Sequence, residues 1–470
     1  MKAVMPTMRV SQAKNGPSAR HGGRRPRKSR LTRIAGLVPC AALLIASCSL
    51  TSGPTATALS DTAIGPARSS RPGTPTAPPS APRRPALKPV DPAAFQAAVD
   101  AAAKKLLVPG AVVLLRTPQG NFEAMVGTTE LGTQTPPDAD THVRIASNTK
   151  TMTSALIVLL AQEGKLRLDD PVSKYVPDVP NGKNITIAEL LKMRSGLYNY
   201  TDAPELAAAL DADPTKVWTP QEVLAIAFRH PPRFPPGTSY DYSNTDYALL
   251  GLTAEKAGGR SLAQQLQDRL FGPLGLRQTS LPAADDSSIP DRYSHGYMYG
   301  GSSYALVDKR YPADMRTAAR NGTLRPVDYT DQNPSYATAA GGAVSTADNL
   351  ATWIRALVSG KVLNAEYQRQ WLHSLQPEDT GTPDGRRYGY GIAYQRFGPN
   401  ASMYYHGGEL PGFNSFIGYD ADNDVTLVIW TNLTLSPDGR TTANALLPTV
   451  LDEIYVGLSL SPAPSPTTTR

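Results

Sequence analysis

Apolar side chains at Phe95, Val99, Ala103 and Leu106 recur every three or four residues, which aligns them along one stripe of a helix. Asp91 followed by Pro92 supplies an N-cap and a proline at the first helical position, so a helix opens the folded part. The period then shortens. Ala111 to Thr117 and Asn121 to Gly127 are β-rich runs separated by Pro118-Gln119-Gly120, a hairpin signal. Near the other end, Asn414 to Tyr419 and Val425 to Asn432 form a similar pair across Asp420 to Asp424, and Thr441 to Tyr455 reads as a closing helix. Between these ends the pattern is mostly helical. Thr186 with Glu189, and Thr219 with Pro220 and Glu222, are capping boxes. Further helices are predicted after Ser147, after Asn244, from Ser261 to Phe271 and from Ser345 to Leu357. Terminal strands around a helical middle predict an α/β (α+β) fold. Its antiparallel sheet is flanked by the N- and C-terminal helices, and an inserted all-α lobe leaves a cleft between.

Outside this pattern lie segments of different composition. Residues 49–90 are Pro, Ser, Thr, Ala and Gly with few large apolar side chains, which bury too little surface to offset ordering entropy, and 458–470 repeat that composition. A disordered linker and a disordered tail are expected there, with the catalytic-sized domain at 91–457. Residues 1–48 read as an export signal. A basic stretch with Arg24, Arg25, Arg27, Lys28, Arg30 and Arg33 precedes the apolar run Ile34 to Ser47, which is too short to span a bilayer as a helix. Ile45-Ala46-Ser47-Cys48 resembles the lipobox of bacterial lipoproteins, so Cys48 is the candidate lipidation site, with ordinary cleavage nearby as the alternative. The expected localisation is outside the cytoplasm, extracellular or at the cell envelope, with membrane contact only through that anchor.

Charge changes the picture once the leader is set aside. The formal charge of +7 is concentrated before residue 91, and the remainder holds 32 basic against 39 acidic residues. A nucleic-acid footprint is therefore not expected on the domain. Both cysteines, Cys40 and Cys48, sit in the leader, which excludes a disulfide, a Cys-ligated metal and a Cys nucleophile from the domain.

The candidate chemistry begins at Ser147-Asn148-Thr149-Lys150. On a helix, residues three apart share a face, so Lys150 can reach the Ser147 hydroxyl and serve as its base once burial lowers its pKa. Taken alone, the same residues also describe a helix start with a capping Ser and a solvated Lys. Met152, Ala155, Leu156, Val158, Leu159 and Leu160 then make that helix apolar on most sides, the mark of a buried element. Tyr242-Ser243-Asn244 lies on a loop before the run Tyr247 to Leu252. It reads either as a proton shuttle with an orienting amide, or as a packed ring with a helix-capping Asn. His406-Gly407-Gly408 follows the β-prone Met403-Tyr404-Tyr405. Small residues there leave strand backbone open to a substrate, or simply form a turn beside a packed His.

Serine-Xaa-Xaa-lysine, tyrosine-Xaa-asparagine and histidine-Xaa-glycine in this order resemble the pattern of serine penicillin-binding proteins, DD-peptidases and class C β-lactamases. Glu163-Gly164-Lys165-Leu166, Leu168-Asp169-Asp170-Pro171, Ser195-Gly196-Leu197, Pro273-Leu274-Gly275-Leu276 and Ala340-Gly341-Gly342 extend the likeness over nearly all of 91–457. It looks closest to secreted D-alanyl-D-alanine carboxypeptidases. The resemblance implies a β-lactamase/transpeptidase-like fold, acylation of Ser147, proton transfer by Lys150 and Tyr242, and a substrate amide held by Asn244. It also implies an oxyanion hole from the backbone N–H groups of Ser147 and Glu409 across Gly408, with His406 keeping Tyr242 in a useful protonation state. No metal or organic cofactor is implied, and a monomer is expected.

The expected substrates are peptidoglycan stem peptides, β-lactams or esters. D-alanyl-D-alanine carboxypeptidase activity leads. An esterase, amidase or class C-like β-lactamase is the alternative, and a non-catalytic sensor is a third reading. One departure separates them. The carboxypeptidases resemble His-Thr-Gly-Thr where this chain has His406-Gly407-Gly408-Glu409, which removes two hydroxyls and adds a carboxylate that would repel a substrate carboxylate.

Overall fold

The computed structural model describes residues 86–307, 309–382 and 385–458. The export signal with Cys48, nearly all of the linker and the tail from residue 459 lie outside the described residues. The linker expectation runs a few residues too far. Lys88 N–H donates to the Ile454 carbonyl (2.8 Å) and Val456 N–H to that of Ala86 (3.0 Å), so residues 86–88 pair with the end of the last helix. Leu87 packs beside that contact, which a composition argument misses because a single apolar side chain is enough to anchor it.

Eight antiparallel strands form the main sheet: β1 (Gly110–Thr117), β2 (Gly120–Gly127), β3 (Gln376–Pro377), β4 (Arg387–Tyr388), β5 (Ala393–Gly398), β6 (Ala401–Leu410), β7 (Phe413–Asp420) and β8 (Val425–Thr431). Their order across the sheet is β2-β1-β8-β7-β6-β5-β4-β3. The first and last long strands of the described residues meet in its middle, where Val113 of β1 pairs with Ile429 of β8. Such non-local pairing follows from two apolar hairpins that can each bury both faces only by joining.

Alternation along the strands assigns each face. Val113, Leu115, Leu427 and Ile429 pack with Phe95, Val99, Ala103 and Leu106 of α1 (Pro92–Leu106), and with Leu446, Val450 and Ile454 of the last helix (Thr442–Ile454). Val112, Leu114, Val428 and Trp430 face the other way, into a second core with Trp353 and Ile354 of the helix Ala347–Val358. That second core continues into the helical lobe, where α2 (Thr149–Gln162) is buried from Thr149 to Ala161 and packs on α3 (Asn244–Gly258).

Local differences from the expected elements have clear causes. The helix expected over Ser261–Phe271 is α-helical only to Leu266 and continues as one π turn, Gln267–Phe271. Ser243, not Asn244, caps α3, by accepting from Asp246 N–H, which frees the Asn244 side chain for other work. Tyr297 and Tyr299 pack with Tyr311, Leu433 and Leu435 in a third, smaller core.

Candidate active site

A cavity of about 730 Å³ opens between sheet and helical lobe, lined by Ser147, Tyr242, Asn244, Tyr388, His406 and the backbone from Gly407 to Glu409, among others. Ser147 enters it from a tight 3-10 turn, Ala146–Asn148, that leads into α2. Ala146 holds a left-handed φ of 51°, an unfavourable conformation for a side-chain-bearing residue and a common accompaniment of reactive sites. The turn is anchored from the sheet. Ser415 of β7 donates to the Ile145 carbonyl (3.0 Å) and accepts from the Asn148 amide (2.8 Å).

Lys150, one turn along, is fully buried. Its Nζ lies 2.9 Å from Ser147 Oγ, 2.6 Å from Asn244 Oδ1 and 2.7 Å from the Ala340 carbonyl. Burial drives its pKa well below the usual lysine value, toward the neutral amine. Two of the three partners are carbonyl oxygens, which only accept, so a neutral amine gives them its two N–H groups. The remaining lone pair then points at the one partner that can donate, the Ser147 hydroxyl.

Asn244 is fixed on its other side, donating from Nδ2 to Thr201 Oγ1 (2.9 Å), while its backbone N–H reaches Asn199 Oδ1 (3.0 Å). Tyr242 stands beside it with Lys150 Nζ 4.9 Å from its ring centre. Burial raises the phenol far above its ordinary pKa, and the Ser147 hydroxyl within hydrogen-bonding contact opposes this. Tyr242 therefore holds its proton while Lys150 lacks one, the division of labour a base and an acid require.

β6 brings the third motif. Its residues 401–405 pair with β5, whereas among the described strands His406 to Leu410 pair only with β7, leaving an edge toward the cavity. Gly408 lets that edge approach the nucleophile turn, because a Cβ there would sit 2.3 Å from the Ile145 carbonyl oxygen. His406 is buried and stands beside Tyr242. Their ring centres are 6.3 Å apart, and both imidazole nitrogens are committed elsewhere, to the Gly407 carbonyl and the Tyr388 hydroxyl.

Thr201, Ala340 and Tyr388 were not singled out for these contacts by the sequence. Ala340 acts through its carbonyl, which has no residue-type signature. Toward the rim, Arg233 pairs with Asp202 and Asp241, and Arg386 with Glu378 (2.6 Å). Among the described residues, no group of three or more His, Cys, Asp or Glu is placed to hold a metal ion.

The loop carrying Tyr242 rests on a buried acid. Asp246 Oδ1 accepts from the hydroxyls of Ser195 and Ser243, and Oδ2 has no partner. Burial raises its pKa to about 8, opposed by the Ser195 and Ser243 hydroxyls and the Ser195 backbone N–H, and so favours the protonated carboxyl in the folded state. A carboxyl raised in the fold stabilises fully below its unfolded value near 3.9 and loses that contribution as pH rises through about 8. Asp246→Asn mimics the protonated form. Its stability relative to wild type is expected to increase from pH 5 toward pH 8 and to level off above that, read as urea midpoints, and a constant difference over the whole range would place the acid ionised in the fold.

A family model described as Beta-lactamase matches residues 95–450. Protein flp of Staphylococcus aureus (strain MW2) is 27% identical over 298 residues, which are 62% of this chain and 53% of that protein. The chain thus spans about half the length of the curated relatives it matches first. Penicillin-binding protein 4* of Bacillus subtilis (strain 168) is 25% identical over 315 residues, 65% of this chain and 64% of the relative. The crystal structure of a D-stereospecific amidohydrolase from Streptomyces sp. superposes with a TM-score of 0.66 at 28% identity, covering 78% of this chain and 100% of that one.

Proposed function

Since the chain belongs to the beta-lactamase family, a family of serine hydrolases, we propose that it cleaves amide bonds of D-configured amino-acid derivatives through an acyl-enzyme on Ser147. The carrying observation is the Lys150 amine, buried, 2.9 Å from Ser147 Oγ and hydrogen-bonded otherwise to two carbonyl oxygens. Lys150 takes the Ser147 proton as Oγ bonds to the substrate carbonyl carbon. The oxyanion lies against the N–H groups of Ser147 and Glu409, and Tyr242 gives its proton to the departing amine as the C–N bond breaks. Water then attacks the ester, losing one proton to the Tyr242 phenolate as the acyl C–Oγ bond breaks, and protonated Lys150 returns its proton to Ser147 Oγ.

Two features support the amide-terminated substrate over a carboxylate-terminated peptide. Gly407 and Glu409 line the cavity at the positions where the resembling carboxypeptidases carry hydroxyls, so this strand edge supplies no side-chain hydroxyl to bind a substrate carboxylate. The superposing Streptomyces protein is itself described as a D-stereospecific amidohydrolase. The likeness to penicillin-binding protein 4* favours a second reading, carboxypeptidase action on cell-wall peptides.

Intact-mass measurement after incubation with a penicillin, beside Ser147→Ala, tests the nucleophile. A covalent adduct absent from the variant is expected. Turnover of a D-amino-acid amide against an acylated D-alanyl-D-alanine peptide then separates the two readings. Faster cleavage of the peptide replaces the amidase, and inertness to penicillin, amide and peptide alike removes the enzyme claim.

A further inference from the structure

His406 sits where β6 loses its β5 partner, and Tyr388 reaches it from β4, the strand on the far side of β5. Tyr388 is buried, its hydroxyl lies 3.0 Å from His406 Nε2, and its ring meets the imidazole edge-on at 5.8 Å. On the other side of the ring, Nδ1 is 2.6 Å from the Gly407 carbonyl oxygen. A carbonyl oxygen cannot donate, so Nδ1 carries the hydrogen and Nε2 presents a lone pair. Tyr388 must then be the donor to Nε2.

We propose that Tyr388 is a positioning residue of this site, whose hydroxyl occupies the His406 lone pair and holds the imidazole neutral, in one tautomer, beside Tyr242 and Lys150. The proposal rests on the acyl-transfer reading for its kinetic consequence, but not for its geometry. Neutrality matters because a cationic imidazole near Tyr242 would stabilise the phenolate, and a Tyr242 already deprotonated has no proton to give the leaving amine. The groups around His406 agree in direction. Lys150 projects from α2, Tyr242 from the loop before α3, and Tyr247 from α3 in contact with the Tyr388 hydroxyl. Arg386, paired with Glu378, closes the cavity side. Burial first, then the cost of a second cation beside Lys150 whenever that amine is protonated, holds the imidazole down to about 3, with Arg386 adding to this and the Gly407 carbonyl opposing it.

The test is histidine nitrogen NMR of the full chain, with kcat/KM followed against pH. Wild type is expected to show His406 with hydrogen on Nδ1 alone down to pH 5. Tyr388→Phe frees Nε2, so the imidazole should titrate at higher pH and carry the acid limb of kcat/KM up by about one pH unit, a loss of about tenfold on that limb. The proton on Nε2 in wild type would overturn the proposal. So would a variant that is merely slower, with the His406 titration and acid limb unmoved. If the variant does not fold, the wild-type tautomer decides alone, and a chain inert to every substrate still leaves the spectra to decide on Tyr388.

Discussion

Lys150→Met should leave a folded protein that barely acylates, with kcat/KM lower by about 10²- to 10⁴-fold, the range for removing a positioned general base. The size follows from what remains. Ser147 keeps its turn and its contact to Tyr242, but that phenol is protonated and cannot accept a proton, so the hydroxyl attacks without a base. Met fills a similar volume in a site with no solvent exposure and removes a polar head that burial penalises. Against this, Asn244 Oδ1 and the Ala340 carbonyl lose a donor, at about 1–3 kcal/mol each. The two effects oppose, so thermal unfolding should move by only a few degrees while penicillin adduct formation, timed by mass, nearly stops. Acylation at the wild-type rate would transfer the base role away from Lys150.

Gly408→Ala is expected to lose about 10²-fold in activity together with about 1–3 kcal/mol of stability. The added Cβ would lie 2.3 Å from the Ile145 carbonyl oxygen, 2.4 Å from Ser415 Oγ and 3.1 Å from Ala146 Cβ. Ile145 cannot yield easily, since it leads into the left-handed Ala146 and its carbonyl is held by Ser415. β6 must retreat instead, and the Glu409 N–H would retreat with it from the proposed oxyanion position. Gly407→Ala is the internal control, with nothing nearer than 3.7 Å to its added Cβ. Measured side by side, the two variants should separate widely in both kcat/KM and melting temperature. Equal behaviour would mean that the strand is not held against the nucleophile turn by Gly408.

Much of the architecture was readable from periodicity because the driving force is burial. The stripe Phe95, Val99, Ala103, Leu106 forms one helix face in the structure, and the two hairpins meet as β1 and β8. Where the expectation failed, a local preference was overridden. The helix from Ser261 takes a π turn at Gln267, and Ser243 rather than Asn244 accepts the capping hydrogen bond.

Within the site, residue type and order determined a good deal. Ser147 and Lys150 lie three apart on a buried helix start, a relation local enough for a sequence to carry. What neighbours do across the fold was decided only by tertiary structure. The Ala340 carbonyl that commits one N–H of Lys150 comes from 190 residues away. Tyr388, whose hydroxyl lies 3.0 Å from His406 Nε2, arrives on a two-residue strand with no motif around it. Hydrogen-bond direction and charge state depend on which partners close around a group and on how completely water is excluded. Both are properties of the assembled cleft, so the chain order names the groups while packing sets their protons.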